Sequence, residues 1–523
     1  MYPDRMEVEM KIPFKTIRYK EGLSEWGTQF FRHIAANFEN DYWTEVAQKD
    51  DDMVSRWGTA RGLKPQSSGY YFELYPESYV RHDKYRERDA EAKVKGSLNL
   101  KWDLTPQTSL NVTAYPDFAQ IESDPATVNL SRYPTYLSEQ RPFFIDGMEV
   151  FRTSSLAHTG AYQPLNIFYS RRIGRSVDGE SVPILGGVKA THKTQDWDLG
   201  IVGAYTDDYV DAGERINEPE RRFGILRAQR RVLGNSNIGV MASGTSVDRD
   251  RYNYAVGLDA AFRRGTNQLV LQGARSDRNG RSGWATSNGY SGYWGDIQTT
   301  VIYEAVHDSF DVSDIGFVPW AGRQRVLALA GPQFTFRRGA LQNLYVGGGL
   351  VRTRDPGSPR WSTIGNLSIS PNWRNRWGAN LEVNAGRNYE FDIVQGRFVG
   401  YTYRDASFNW YGLAGGNNVN GGGQYSYSYN YQRGYLAYQG TNYLTVSHSF
   451  ADPVSATLGG NLWIEWDQGG RVLAMWPRLR PRVDVRISPY MSVSVFDELL
   501  SSTPEAQFAR TRLLSHCLLY TSP

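Results

Sequence analysis

From Ala90 onward, apolar side chains recur at every second position over runs of about ten residues, a period of two that belongs to strands and not to helices. Ala92, Val94, Gly96, Leu98, Leu100, Trp102 and Leu104 alternate with Glu91, Lys93, Lys95, Ser97, Asn99, Lys101 and Asp103. The pattern returns in Trp197, Leu199, Ile201, Gly203 and Tyr205, and in Tyr252, Tyr254, Val256, Leu258, Ala260 and Phe262. Trp377, Ala379, Leu381, Val383 and Ala385 repeat it, as do Tyr425, Tyr427, Tyr429 and Tyr431, then Leu458, Gly460, Leu462, Ile464 and Trp466. Strands of soluble proteins average about 5–6 residues. A tilted strand that crosses a bilayer needs about 9–11. Length therefore separates a transmembrane barrel from the competing soluble sandwich or propeller.

The connections point the same way. Short turns are predicted at Thr105–Thr108, Lys193–Gln195, Gly234–Asn237, Arg264–Gly265, Arg337–Gly339, Asn372–Arg376 and Ala451–Val454. Longer or Gly-rich loops are predicted at Asp207–Arg221, Ser276–Gly289, Thr353–Arg360, Asn388–Gly396 and Gly412–Gly423. Short turns at one end and long loops at the other suit a closed antiparallel barrel of about 16 strands. The fold class is all-β. Composition agrees, since 34 Tyr, 15 Trp, 22 Phe and 52 Gly in 523 residues favour strands and turns. A mean hydropathy of −0.53 fits a barrel whose apolar band is thin and whose interior is polar.

Other classes drop out. With 58 Lys+Arg against 55 Asp+Glu, there is no clustered basic surface for nucleic acid. The single Cys517 excludes a disulfide framework and a cysteine-based zinc site. No G-x-S-x-G elbow, H-E-x-x-H pair or phosphate-cradling loop occurs, and Gly421-Gly422-Gly423 lacks a following Lys-Ser/Thr.

Residues 1–57 read as the end of a β-sandwich, with one strand at Met6–Ile12 and another at Trp26–Ile34. Residues 58–69 read as a linker, 70–516 as an incomplete barrel, and 517–523 as a non-native tail. Met1–Arg5 has no basic start followed by an apolar stretch, so an export signal is expected upstream of this sequence.

Several stretches resemble a known family. Met10–Tyr19, Trp26-Gly27 and Phe31-Arg32 look like the end of a family 9 carbohydrate-binding-module-like domain. Tyr115–Glu122, Asp124-Pro125, Val128–Leu130 and Glu139–Gly147 form a second stretch; Phe168–Gly174 and Pro183–Gly187 form a third. Asp311–Phe317 and Arg512–Ser515 fit as well. Together they resemble a bacterial family in which that module precedes a large outer-membrane barrel of unknown function. The resemblance implies outer-membrane lipid and a polysaccharide or oligosaccharide as partners, and members are often labelled hydrolases.

Glu139, Asp146 and Glu149 are the candidate acid–base carboxylates for cleaving an O-glycosyl bond. The competing reading is an inward-folded plug, tied by an ion pair of Arg141 and packed into the wall by Phe143 and Phe144. Asp117, Glu122 and Asp124, beside Arg132, form an acidic group that Arg171 and Arg172 could face across a lumen, selecting solutes by charge. Asp207, Asp208, Asp211 and Glu214 offer oxygen ligands for calcium, or simply a polar external loop; no other cofactor is implied. Trp284, Tyr290, Tyr293 and Trp294 could stack on a sugar ring, or sit in an interfacial aromatic girdle. The expected function is a passive outer-membrane channel or scaffold for glycans. The rivals are a surface glycan hydrolase and a soluble lectin-like protein.

Overall fold

A computed structural model describes residues 7–12, 23–34, 39–45, 57–64, 71–83, 91–116, 132–156, 160–177, 180–210, 216–451, 453–488, 491–500 and 512–521. Among them, twenty-two strands form one closed antiparallel barrel. It begins with Tyr71–Asp83, Glu91–Thr105 and Thr108–Ala114 and continues from Ile184–Lys193 as a meander, each strand paired with the next. The last strand, Arg512–Thr521, lies beside Tyr71–Asp83 and closes the ring, so no edge is left to pair with another chain. This strand runs through the boundary drawn at residue 516. Barrel strands span 7 residues at Thr108–Ala114 to 18 at Arg397–Ala414. Among the described residues no helix is long and apolar enough to cross a membrane, which leaves crossing by strands untouched.

The two faces of the wall are inverted relative to a soluble protein. Along Tyr252–Arg264, Tyr254, Val256 and Leu258 point outward with 48%, 52% and 66% of their surface exposed, whereas Asn253, Ala255 and Asp259 point inward and are buried. Leu199, Ile201, Leu381, Val383 and Leu458 repeat the exposed apolar exterior. Leaving such side chains in water forfeits about 1.5–3 kcal/mol each. A wall built this way is matched to an apolar surround.

All seven predicted short turns fall at one end of the barrel, together with those at residues 295–296 and 415–416. Both Tyr71 and Thr521 lie at that end too, as an even number of strands requires. The opposite end carries the long connections, above all 115–183 and 307–323.

The strand number, twenty-two, corrects the expectation of about 16, and two predicted loops prove to be mostly strand. Ser276–Gly289 holds the end of strand Asn267–Arg278 and most of strand Arg281–Trp294, joined by Asn279-Gly280. Both turn residues have positive φ, 53° and 84°, the left-handed pair that closes a two-residue hairpin with the twist of its strands. Gly412–Gly423 likewise contains only the tight turn Gly415-Gly416. Gly421 and Gly423 are strand residues whose missing side chains leave room for the rings of Trp410 and Phe408 on the neighbouring strand. Asn388–Gly396 is strand as far as Asp392.

The amino-terminal part also differs. Residues 7–12 form no strand, and Val8, Met10 and Ile12 are exposed. Trp26–Ile34 is two strands with different partners: Glu25–Thr28 pairs with Gly58–Arg61, and Phe31–Ile34 with Glu39–Tyr42. Gly58–Arg61, within the span read as a linker, is thus a strand paired with Glu25–Thr28.

Candidate functional site in the lumen

The connection 115–183 turns into the barrel. Its described part, from Arg132, has little regular structure: Pro142–Ile145, the short turns Met148–Phe151 and Ser170–Arg172, and the small hairpin of Ser176–Val177 with Glu180–Ser181. Irregular backbone at this depth must find hydrogen-bond partners, and the wall supplies them. Leu165 N donates to Gln272 Oε1 at 2.7 Å, and Gln272 Nε2 donates back to Ser154 O at 2.5 Å. Gln268 Nε2 donates to Ser155 O, Ser243 Oγ to Ile167 O, Ser287 Oγ to Gln163 O, and Arg325 Nη1 to Ala161 O. Asp259 accepts from Ser154 Oγ at 3.0 Å while its other partner, Arg227, is fully buried beside it.

Apolar contacts complete the seal. Phe144, Val150, Phe151, Ile167 and Ile173 form one buried cluster with wall residues such as Ile225 and Met241. The wall is thinned where the segment presses in. A methyl at Gly200 would stand 2.5 Å from the Phe151 ring, and one at Gly289 would collide with Leu156.

Arg141 is the buckle of the segment. Its Nε and Nη2 donate to Glu139 Oε1 and Oε2 at 2.8 and 2.7 Å, and Nη1 and Nη2 also donate to Ile173 O and Ser170 O. Glu139 further accepts from Ser170 Oγ at 2.6 Å and from the backbone N–H of Gln140 and Arg141. Burial works to raise the Glu139 pKa, but the hydrogen bonds and charge of Arg141 together with Ser170 outweigh it and hold the carboxyl below its ordinary value. Asp146 accepts from Asn111 at 2.9 Å and lies 3.4 Å from Lys101, while Glu149 meets Lys193 at 3.1 Å. Each of the three carboxylates thus faces its own cation. Phe144 packs under the Arg141 guanidinium, 4.3 Å from the ring centre, and Phe143 lies 5.0 Å from Lys189 Nζ.

Residues far apart in sequence converge here. Glu139–Gly147 meets Phe168–Gly174 through Arg141, and Asp311–Phe317 joins them: Tyr169 N donates to Ile315 O, and Phe317 N to Asn166 O. Arg171 and Arg172 staple this unit by donating to Ser138 O and Gly316 O. Sequence reasoning missed Asp311–Phe317 as part of the plug, and missed the wall groups Lys189, Arg227, Asp259, Gln272 and Glu304. Their signal was available, since each is a polar residue within an apolar-alternating strand.

Trp284 and Trp294 point outward at opposite ends of one strand, 50% and 66% exposed. Ten positions apart at about 3.4 Å per residue and a tilt of about 40°, they are separated by about 26 Å in height, matching an apolar band of about 25 Å. Tyr293 faces the other way and is half-buried. Asp207 and Asp208 lie in the loop leading to the small hairpin Tyr209–Val210 and Ile216–Glu218. Asp117, Glu122, Asp124, Asp211 and Glu214 lie outside the described residues.

Beyond the segment, toward the long-loop end, a cavity of about 400 Å³ opens between Arg132–Tyr133 and the far wall. Hydroxyls and amides dominate that wall: Ser426, Ser428, Asn388, Gln424 and Thr441, with Tyr401 and Tyr403 among them. Arg132 bridges to Asp355 and hydrogen-bonds Tyr133 OH at 2.7 Å, tying the segment to this side. Tyr431 donates to Glu390; burial first, then the Glu390 charge, pushes its phenol pKa up and keeps it a donor.

A family described as a domain of unknown function (DUF5916) matches residues 71–195, which take in the first three barrel strands, the inward segment and Ile184–Lys193. No curated protein matches the chain. Among solved structures, the P pilus usher (PapC) translocation pore is similar over 87% of this chain and 93% of its own, at 11% identity and a TM-score of 0.35. The Pseudomonas aeruginosa protein OccK9 (OpdG) is similar over 62% and 98%, at 13% identity and 0.35. The siderophore receptor PirA from Acinetobacter baumannii is similar over 85% and 78%, at 10% identity and 0.37.

Proposed function

We propose that the protein is an outer-membrane β-barrel acting as a passive channel or scaffold that admits or presents glycans or their fragments. The exposed apolar exterior over a polar interior supports the membrane setting, as do the short turns gathered at one end. The single observation carrying the rest is the cavity beside the inward segment. Its hydroxyl and amide lining, interleaved with Tyr401 and Tyr403 and bordered by the charged Arg132, Arg323, Asp355 and Glu390, offers many donors and acceptors with aromatic faces, the chemistry that suits a polyhydroxylated ring. The amino-terminal strands, resembling part of a carbohydrate-binding domain, would deliver such ligands from the short-turn side.

The test has two stages. Full-length protein in outer-membrane detergent extracts should migrate differently on a denaturing gel before and after boiling, as a closed barrel does. Reconstituted into liposomes, it should admit neutral oligosaccharides in a swelling assay, and Tyr401→Ala with Tyr403→Ala should slow that entry. Release from membranes by carbonate with no heat shift would sink the barrel reading; unchanged entry in the double variant would sink the cavity's role.

A further inference from the structure

The cavity at the long-loop end has a counterpart toward the short-turn end. This second cavity, of about 340 Å³, is lined by Gln298, Thr300, Gln333, Tyr345, Ser368 and Ser370. Between the two runs a hydrogen-bonded belt. Leu381 and Val383 are exposed on the outer face, so Glu382 and Asn384 face the lumen. One rung of the sheet sets Asn366, Asn384, Asp405, Ser426 and Gln439 opposite one another, strand by strand. Asn384 Nδ2 donates to Glu382 Oε1 at 3.0 Å and to Asp405 Oδ1 at 2.9 Å, so one amide nitrogen spans both carboxylates. Asn366 Nδ2 also reaches Glu382 Oε1, and Gln424 Nε2 reaches Asp405 Oδ2, each at 2.8 Å. All of these donors are neutral amides. Among the described residues, neither Glu382 nor Asp405 has a cationic side chain within ion-pair distance, and no donor meets Glu382 Oε2. The arginines lining the first cavity are engaged elsewhere, Arg132 with Asp355 and Arg323 with Glu304.

Gln439 is an independent sign of a ligand. It is 5% exposed and lines the first cavity; its Nε2 donates to Ser428 Oγ at 2.7 Å, but its Oε1 has no partner. A buried acceptor without a donor is costly, and a donor-bearing solute in the cavity would satisfy it.

We propose that solutes cross along this wall from one cavity to the other, past a filter of Glu382 and Asp405 that favours cations and ammonium-bearing solutes over anions. Ser426 lies opposite Asp405 and lines the first cavity, while Ser368 lies opposite Glu382 and lines the second. The two carboxylates therefore stand at the junction. Carboxylates lining a pore select cations, and amides that hold them fix their positions without cancelling their charge.

The inference rests on the channel reading, and the two fail differently. Full-length protein is placed in a planar bilayer under a KCl gradient and its reversal potential measured. Wild type is expected to pass potassium in preference to chloride. Glu382→Gln with Asp405→Asn should lower the potassium-to-chloride permeability ratio several-fold. Glu382→Asp with Asp405→Glu should keep most of it, and Glu382→Gln alone should lower it in part. In a background free of other cysteines, Ser370→Cys should be blocked faster by a cationic methanethiosulfonate than by an anionic one. A conducting wild type without cation preference would overturn the filter, as would faster block by the anionic reagent. So would an unchanged ratio in the double variant, or in Glu382→Gln alone should the double variant lose its heat shift on a gel. Absence of any current in wild type would overturn the channel and the filter together.

Discussion

Glu139 and Arg141 show how much a two-residue spacing can hold. The pair is nearly buried, with side chains 8% and 11% exposed, and every polar atom of the Glu139 carboxylate is engaged. Breaking such a pair from one side costs about 3–5 kcal/mol because the other charge stays buried. Glu139→Gln should therefore loosen residues 132–177, read as faster amide exchange there than in the strands. The pH dependence has a definite sign. The folded pKa lies below the ordinary value of 4.5, so the contribution is complete above that value and is lost as pH falls through the lowered one. Exchange in the segment should stay slow from neutral pH to about 4.5 and accelerate below it. The sequence did present an ion pair of Arg141 with a neighbouring carboxylate, without choosing Glu139, and the inward packing of Phe143 and Phe144. It could not present Ser170 or Ile173 O, which reach Arg141 only after the chain doubles back.

Among the elements, strands were legible wherever one face was continuously apolar, as in Tyr252–Arg264. They were obscured where glycine marked a packing need and not a bend. Gly421 and Gly423 make room for rings, while Asn279-Gly280 is a two-residue turn that any alternating pattern on both sides should have exposed. The outward face also sets a depth rule. Leu258 lies at the middle of its strand and points outward, so Leu258→Arg should destabilise the membrane-inserted protein by about 2–4 kcal/mol. Leu233, in a short turn and 81% exposed, should tolerate arginine at about 0–1 kcal/mol. Equilibrium unfolding by guanidinium in lipid vesicles measures both. Equal costs at the two sites would contradict the membrane orientation.

For the whole molecule, the wall and its contents are held by different bonds. The ring depends on strand-to-strand ladders around all twenty-two strands, whereas the segment depends on wall side chains such as Gln268, Gln272 and Ser287. Replacing residues 132–183 by a short Gly/Ser linker should leave the heat-dependent gel shift intact. The same variant should conduct several-fold more than wild type in a planar bilayer. Loss of the gel shift would mean that the segment is part of what closes the ring.

By itself the sequence determined the period, the inversion of faces, the short turns and a local ion pair of Arg141 with a nearby carboxylate, because each is written within a few residues. Only the tertiary structure decided the number of strands in the ring, the depth to which residues 132–183 enter it, and the meeting of Phe168–Gly174 with Asp311–Phe317. Those depend on closure. Strands distant in sequence become neighbours across a lumen, and no local pattern records which side chains will face each other there.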